Sequence, residues 1–195
     1  MEAFSDGVIA ILITVMVLEL KVPHGTSWAA LRDSLPTLLT YVMSFVYLGI
    51  YWNNHHHMLM ATDQVDGLVL WANLHLLFWL SMVPFFTGWM GQNHFAEVPT
   101  AAYGIVLIAA AFAYVGLQKA IIHGQGAGST LAAAIGADMK GKISPVLYAI
   151  GIGLAFVDRW LAIAVYSVVA LTWLVPDRRV ARTIAALRWP EDPAT

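Results

Sequence analysis

The chain has 195 residues and a formal net charge of −2, and 59% of its residues are hydrophobic whereas only 11% are charged. Soluble domains carry about 25% charged residues, so this composition, with a mean hydropathy of +0.71, excludes an ordinary soluble domain and a basic nucleic-acid-binding protein. The lack of cysteine also excludes a disulfide framework. An integral membrane protein remains.

Apolar segments divide the chain into predicted spans. A helix needs about 20 apolar residues to cross a hydrocarbon core about 30 Å thick, and several segments reach or approach this length. They predict an all-α membrane protein with six transmembrane helices, at approximately 4–20, 35–57, 67–90, 98–122, 144–157 and 160–175. Ser144–Pro145 is typical of a helix start. Only Asp158 and Arg159 separate the last two spans, which predicts a tight hairpin because a charge pair at mid-membrane is costly.

Basic residues set the expected orientation, because they concentrate in cytoplasmic loops. With six spans, the termini and two loops share one side, and that side carries Lys119, Lys140, Lys142, Arg178, Arg179, Arg182 and Arg188. The other side carries Lys21, Arg32 and Arg159. Both termini are therefore predicted to be cytoplasmic. The glycine-rich segment 123–142 is predicted to be a flexible linker, and residues 177–195 a basic amphipathic tail that lies on the inner leaflet or only anchors the orientation.

Polar residues within the first apolar segment are costly in a membrane and therefore informative. Phe4-Ser5-Asp6 either caps the first helix, with Ser5 as the cap and Asp6 on the helix dipole, or forms a network that holds this helix against its neighbours. Thr14 either returns its hydroxyl to the carbonyl of Ala10 or faces a water-filled path.

Histidines form the second polar set. The run Asn53–His57 is interpreted as a polar helix end and not as a metal site, because helical metal ligands usually lie three or four residues apart. Asn73 and His75 lie inside the third apolar segment. His75 either makes a structural hydrogen bond, with Ser5, Asp6 or an asparagine as partner, or relays protons.

The first segment closely resembles the signature first helix of the transmembrane protein 175 family of potassium channels. The similarity rests on Phe4-Ser5-Asp6, the apolar run that contains Thr14, and the acidic turn at Glu19, and it extends to Tyr51–His57, Asn73, His75 and Pro84-Phe85. The resemblance implies a potassium-permeable cation channel and not an enzyme. It further implies a homotetramer whose central pore is lined by helix 1, without a carbonyl filter of the Thr-Val-Gly-Tyr-Gly type.

The resemblance also assigns roles by position. It places the pore constriction at Ile11, Val15 and Leu18, with the narrowest ring at Ile11, and the ion-contacting hydroxyl layer at Thr14. Residues 11, 14, 15 and 18 share one stripe of a helix. The helix-1 motif network would consist of Phe4, Ser5, Asp6, His75 and Trp71.

The expected function is passive conduction of potassium ions through a bacterial plasma membrane. Apart from the permeating ion, no cofactor, metal or nucleic-acid partner is expected. The alternative is an ion- or proton-coupled secondary transporter that uses Asp6 and His75. Ligand spacing argues against a third class, an intramembrane histidine-rich metalloenzyme.

Overall fold

A computed structural model describes residues 1–62, 64–126, 129–135 and 139–174 of the chain. These residues form α-helices and one 3-10 helix, and no strand occurs among them, as the composition predicted. In chain order the elements are α1 (Glu2–Val15), the 3-10 helix (Met16–Glu19), α2 (Trp28–Asp33), α3 (Leu35–Met60), α4 (Gly67–Gln92), α5 (Glu97–Gln125), α6 (Thr130–Ile135), α7 (Met139–Leu154) and α8 (Arg159–Leu174).

Helix length and apolarity indicate which elements can cross a membrane. Within the described residues, three helices are long and apolar enough by themselves, namely α3, α4 and α5. α1 and the 3-10 helix together extend about 29 Å at 1.5 and 2.0 Å per residue. α7 and α8 have 16 residues each, which corresponds to about 24 Å. The number of six crossing helices stays a prediction.

Several helix ends differ from the predicted boundaries. α3, α4 and α5 each continue two or three residues past their predicted ends. The predicted helix start at Ser144–Pro145 is wrong, since α7 begins at Met139 and contains Pro145. The Ser144 hydroxyl donates to the Lys140 carbonyl inside the helix (2.8 Å) instead of capping a new one.

The connections between the spans contain additional short helices. Ser27 caps α2, because its Oγ accepts a hydrogen bond from the backbone N–H of Ala30 (3.3 Å). Residues 130–135 of the predicted flexible linker form α6, with Leu131 buried, so the linker prediction is wrong for this part. The predicted amphipathic tail 177–195 lies outside the described residues.

Hydroxyl groups link the helices in the buried core. Ser44 on α3 is hydrogen-bonded to Thr87 on α4 (2.6 Å) and to Tyr103 on α5 (2.9 Å). The Tyr47 hydroxyl donates to the backbone carbonyl of Tyr166 on α8 (2.5 Å). A bilayer offers no water to these groups, so the bundle must satisfy them internally.

The last two helices form the predicted hairpin. α7 ends at Leu154 and α8 begins at Arg159, where the Asp158 carboxylate accepts a hydrogen bond from the backbone N–H of Trp160 (2.8 Å). The Trp160 ring packs on Phe95 in the α4–α5 turn, with 5.3 Å between ring centroids. The hairpin is therefore held against the neighbouring turn.

We expect Gly104→Ala to destabilise the bundle. A Cβ at Gly104 on α5 would collide with the Tyr166 hydroxyl and lie 2.8 Å from Cγ1 of Ile152, and overpacking of this kind costs about 1–3 kcal/mol. Gly116→Ala on the same helix is the matched control, because a Cβ there meets nothing within 4 Å. The unfolding temperature in detergent should fall for Gly104→Ala and not for Gly116→Ala. Equal temperatures would show that α5 and α8 are not packed this closely.

Candidate functional site

α1 has one face packed against the bundle. Ser5, Ile9 and Met16 on this helix and its 3-10 extension are buried, and the helix contacts α3 and α4. Ile13 is half-buried and packs against the same core. This face holds α1 in a fixed rotation about its axis.

The opposite face of α1 is an unpartnered stripe in the single chain. Ile11 is 60% and Leu18 78% exposed, and Val15 and Thr14 are also exposed. These four side chains are the ones that the resemblance assigned to the pore. Periodicity alone could not choose them, because α1 is apolar all round. The packing of the other face makes them the free face of the helix, whereas their role as constriction and ion contact stays a prediction.

Thr14 keeps its hydroxyl proton inside the helix. Its Oγ1 lies 3.1 Å from the Ala10 carbonyl oxygen and 3.0 Å from that of Ile11, so the predicted return hydrogen bond is confirmed. Because the proton is directed to the backbone, the oxygen lone pairs remain free, and the side chain is on the exposed stripe. The return hydrogen bond and a side chain that faces a water-filled path are therefore compatible with each other.

A buried hydrogen-bonded chain joins α1 to α3 and α4. The Asn73 amide nitrogen donates to Ser5 Oγ (2.9 Å), and the Asn73 amide oxygen accepts from Nε2 of His55 (2.7 Å). Ser5 Oγ in turn donates to the Met1 carbonyl (3.3 Å). All three side chains are at most 2% exposed. The capping interpretation of Ser5 is wrong, since α1 begins at Glu2, and Ser5 takes part in an inter-helix network.

Asp6 lies in a different environment from Ser5. Nδ1 of His56 is 3.9 Å from a carboxylate oxygen of Asp6 and 3.0 Å from one of Glu2. This cluster is half-exposed and connects the start of α1 to the end of α3. The motif residues Ser5 and Asp6 are adjacent in sequence, but they contact two separate sets of partners.

His75 and Trp71 are placed on the outer side of α4. His75 accepts a hydrogen bond from the indole nitrogen of Trp79 on the next turn (3.0 Å), which confirms a structural hydrogen bond with a partner that the sequence did not suggest. Trp71 is 74% and Phe4 59% exposed. In the single chain these side chains belong to the free surface, so their membership of the motif network stays a prediction.

The far end of α1 is attached to α4 by a polar contact. The Glu19 carboxylate accepts a hydrogen bond from the side-chain amide of Gln92 (3.1 Å). Gly88 provides the room, because a Cβ there would lie 2.9 Å from the same carboxylate. Both ends of α1 and its 3-10 extension are therefore held to neighbouring helices.

Sequence reasoning missed two pairings in the site. It grouped His55 with a polar helix end and did not pair it with Asn73 in the third apolar segment. It also did not connect Glu2 with His56, since residues so far apart in sequence carry no spacing signal. The signal that distinguishes His55 from His56 is burial, because His55 is fully buried and His56 is partly exposed. Only the fold gives this difference.

Comparisons with known proteins agree with the resemblance in the first helix. Residues 1–84 match the profile of the family described as "Endosomal/lysosomal potassium channel TMEM175". The chain is 53% identical over 184 residues to a potassium channel of Chryseobacterium sp. (strain P1-3), covering 94% of this chain and 96% of that protein. It is 32% identical to a potassium channel of Streptomyces collinus, covering 92% and 95%.

A solved structure has the same fold. The crystal structure of a lysosomal potassium-selective channel TMEM175 homolog from Chamaesiphon minutus superposes with a TM-score of 0.77 at 30% sequence identity. The match covers 91% of this chain and 95% of that one. The similarity therefore extends over nearly the whole length of both chains.

Proposed function

Because the chain belongs to the TMEM175 family of potassium channels and is an ion channel, not an enzyme, we propose that it conducts potassium ions passively along a pore lined by α1. The single observation that carries this proposal is the stripe of Ile11, Thr14, Val15 and Leu18, which is exposed on a helix whose other face is buried in the bundle. Its own subunit leaves this stripe uncovered, so the stripe is available to line a pore.

A homotetramer supplies the other pore-lining stripes in our proposal. One helix per subunit cannot enclose a path for ions, and closed cyclic symmetry brings the same stripe of every subunit to one axis. Trp71, His75 and Phe4 support an assembly as well, because a histidine exposed to lipid at membrane depth is costly unless protein covers it. We place these three residues at the contact between neighbouring subunits.

The residues of the stripe suggest how the pore works. Ile11 side chains that meet at the axis offer no polar group, so water leaves the ring and ions are blocked until it widens. The β-branched side chain of Ile11 has few rotamers, which keeps the closed ring well defined. One turn further along, Thr14 oxygens with free lone pairs can replace part of the hydration shell of a potassium ion. Val15 and Leu18 continue the apolar wall beyond that layer.

The distribution of basic residues and the helix lengths support a proposal for the membrane, the orientation and the number of crossing helices. The protein is a membrane protein, and we propose the bacterial inner membrane, six crossing helices and cytoplasmic termini. The excess of lysine and arginine in the loops assigned to the cytoplasmic side supports this orientation. α7 and α8, at about 24 Å each, would cross with locally thinned lipid or with help from their flanking residues.

Ion flux through liposomes that contain only this protein tests the function. A channel gives passive flux that follows the potassium gradient and needs no second ion. Flux that requires a proton gradient would favour the alternative, a coupled transporter that uses Asp6 and His75. The structure offers that alternative little support, since His75 pairs with Trp79 and Asp6 lies beside His56.

Thr14→Val should lower the preference for potassium over sodium and leave the assembly intact. Valine keeps the shape of the side chain but removes the oxygen that would contact the ion, while the return hydrogen bond to the helix is dispensable. The ratio of potassium to sodium permeability measured in liposomes should fall several-fold, with the same mass of the complex in native mass spectrometry. An unchanged ratio would show that Thr14 does not contact the ion and only forms its hydrogen bond with the Ala10 carbonyl.

A further inference from the structure

The three consecutive histidines at the end of α3 have three different environments. Nε2 of His55 donates to Asn73 in the buried network (2.7 Å), and Nδ1 of His57 donates to the backbone carbonyl of Asn53 (2.6 Å). His56 contacts Glu2 and Asp6 on α1 (3.0 and 3.9 Å). The sequence did not predict a metal site here, because helical metal ligands usually lie three or four residues apart. In the fold, however, another helix places possible ligands beside His56.

Glu2 and Asp6 are the ligands that α1 supplies. They lie one helical turn apart, on the same face. One oxygen from each and Nδ1 of His56 all lie within 4.8 Å of one another. Ligands in a tetrahedral zinc site are separated by about 3.4 Å, since metal–ligand bonds are about 2.0–2.2 Å long. Small rotations of the two half-exposed carboxylates would close this difference.

Two atoms of the cluster lack a hydrogen bond. Nδ1 of His56 and Oδ1 of Asp6 are buried as atoms, and neither has a hydrogen-bond partner among the described residues. The 3.0 Å approach of Nδ1 of His56 to the Glu2 carboxylate is an ion pair only when the imidazole is protonated. Buried polar atoms are nearly always paired, so two orphaned ligand atoms in one cluster indicate that something else binds there.

Charge and donor type define the ligand. Two carboxylates and a neutral imidazole carry a formal charge of −2, which a divalent cation cancels. An imidazole nitrogen suits zinc and other first-row transition metals, whereas magnesium and calcium prefer oxygen donors alone. The Trp52 ring stacks on His56 at 27° with 6.1 Å between centroids, which fixes the orientation of the imidazole. The three side chains are between 31% and 46% exposed, so the cluster lies beside solvent and not in the core.

We propose that Glu2, Asp6 and His56 bind a divalent transition-metal ion, such as Zn²⁺, which connects the start of α1 to the end of α3. The site lies away from the exposed stripe of α1 and does not require that the protein conduct ions. A bound ion restrains the helix that carries the stripe.

Zinc binding to the purified full chain tests the site. The protein, freed of any affinity tag and of metal, is titrated with zinc chloride by calorimetry, and bound zinc is counted by elemental analysis after desalting. We expect one tightly bound ion per chain, and a rise in the unfolding temperature on addition of zinc. Magnesium chloride should produce neither effect.

Variants assign the binding to these residues. His56→Gln and Glu2→Gln should each weaken zinc binding about tenfold or more and abolish the thermal shift. His57→Gln is the matched control, because the neighbouring ring binds its own helix, and its zinc affinity should stay within about twofold of the original. Glu2→Gln changes a half-exposed residue, so it gives a result even where His56→Gln fails to fold. Equal losses at His56 and His57, or full binding by Glu2→Gln, would overturn the proposal.

Discussion

Ile11→Asn is expected to turn the protein into a leaky channel. An amide at the narrowest apolar ring lets water stay in the constriction, so the dewetting barrier to ions falls. We expect passive potassium flux in liposomes to increase about tenfold or more, which corresponds to a barrier lower by about 1.4 kcal/mol. Discrimination between potassium and sodium should fall as well, because a wider, wetted path lets ions pass with their hydration shells.

Ile13→Asn is the control for this prediction. Ile13 is only two residues away, but it is half-buried and packs against the core of its own subunit. An asparagine there loses apolar contacts and buries an amide without a partner, which costs about 1–3 kcal/mol. We expect lower yield and a lower unfolding temperature without increased flux. If Ile13→Asn leaks while Ile11→Asn conducts as the original does, the pore is lined by the other face of α1.

Asn73→Leu should destabilise the protein strongly. Leucine has the same number and branching of side-chain heavy atoms, but Ser5 Oγ loses its donor and Nε2–H of His55 loses its acceptor, both in a fully buried site. Each unpaired buried group costs about 1–3 kcal/mol. We expect the free energy of unfolding to fall by at least about 2 kcal/mol, which a lower unfolding temperature would show.

Two comparisons separate this effect from a simple loss of polarity. Asn93→Leu, on the exposed end of α4, removes an amide that contacts only its own helix, at the Trp89 carbonyl, and should cost less than about 0.5 kcal/mol. The triple variant Ser5→Ala, His55→Leu, Asn73→Leu removes all partners together and should be more stable than Asn73→Leu alone, since no buried group is left unpaired. A triple variant that is less stable would contradict the unpaired-group explanation.

Composition and local pattern determined much of this protein. The low charge and the long apolar segments predicted an all-α membrane protein, and α3, α4 and α5 occur close to the predicted positions. The hairpin at Asp158–Arg159 was also predictable, because the cost of charges at membrane depth excludes a continuous helix. The motif Phe4-Ser5-Asp6 indicated the family. Each of these signals is local in sequence, or is a property of one segment in lipid.

Contacts between distant segments were decided only by the tertiary structure. An apolar helix such as α1 has no periodicity that distinguishes its faces, so the packing of Ile9 and Met16 on the bundle was needed to show that Ile11 and Leu18 are free. The three adjacent histidines are alike in sequence, but successive side chains on a helix point about 100° apart, and each meets a different neighbour. Which polar group pairs with which therefore depends on how the helices are placed, because hydrogen bonds form between atoms about 3 Å apart in space and not at fixed separations along the chain.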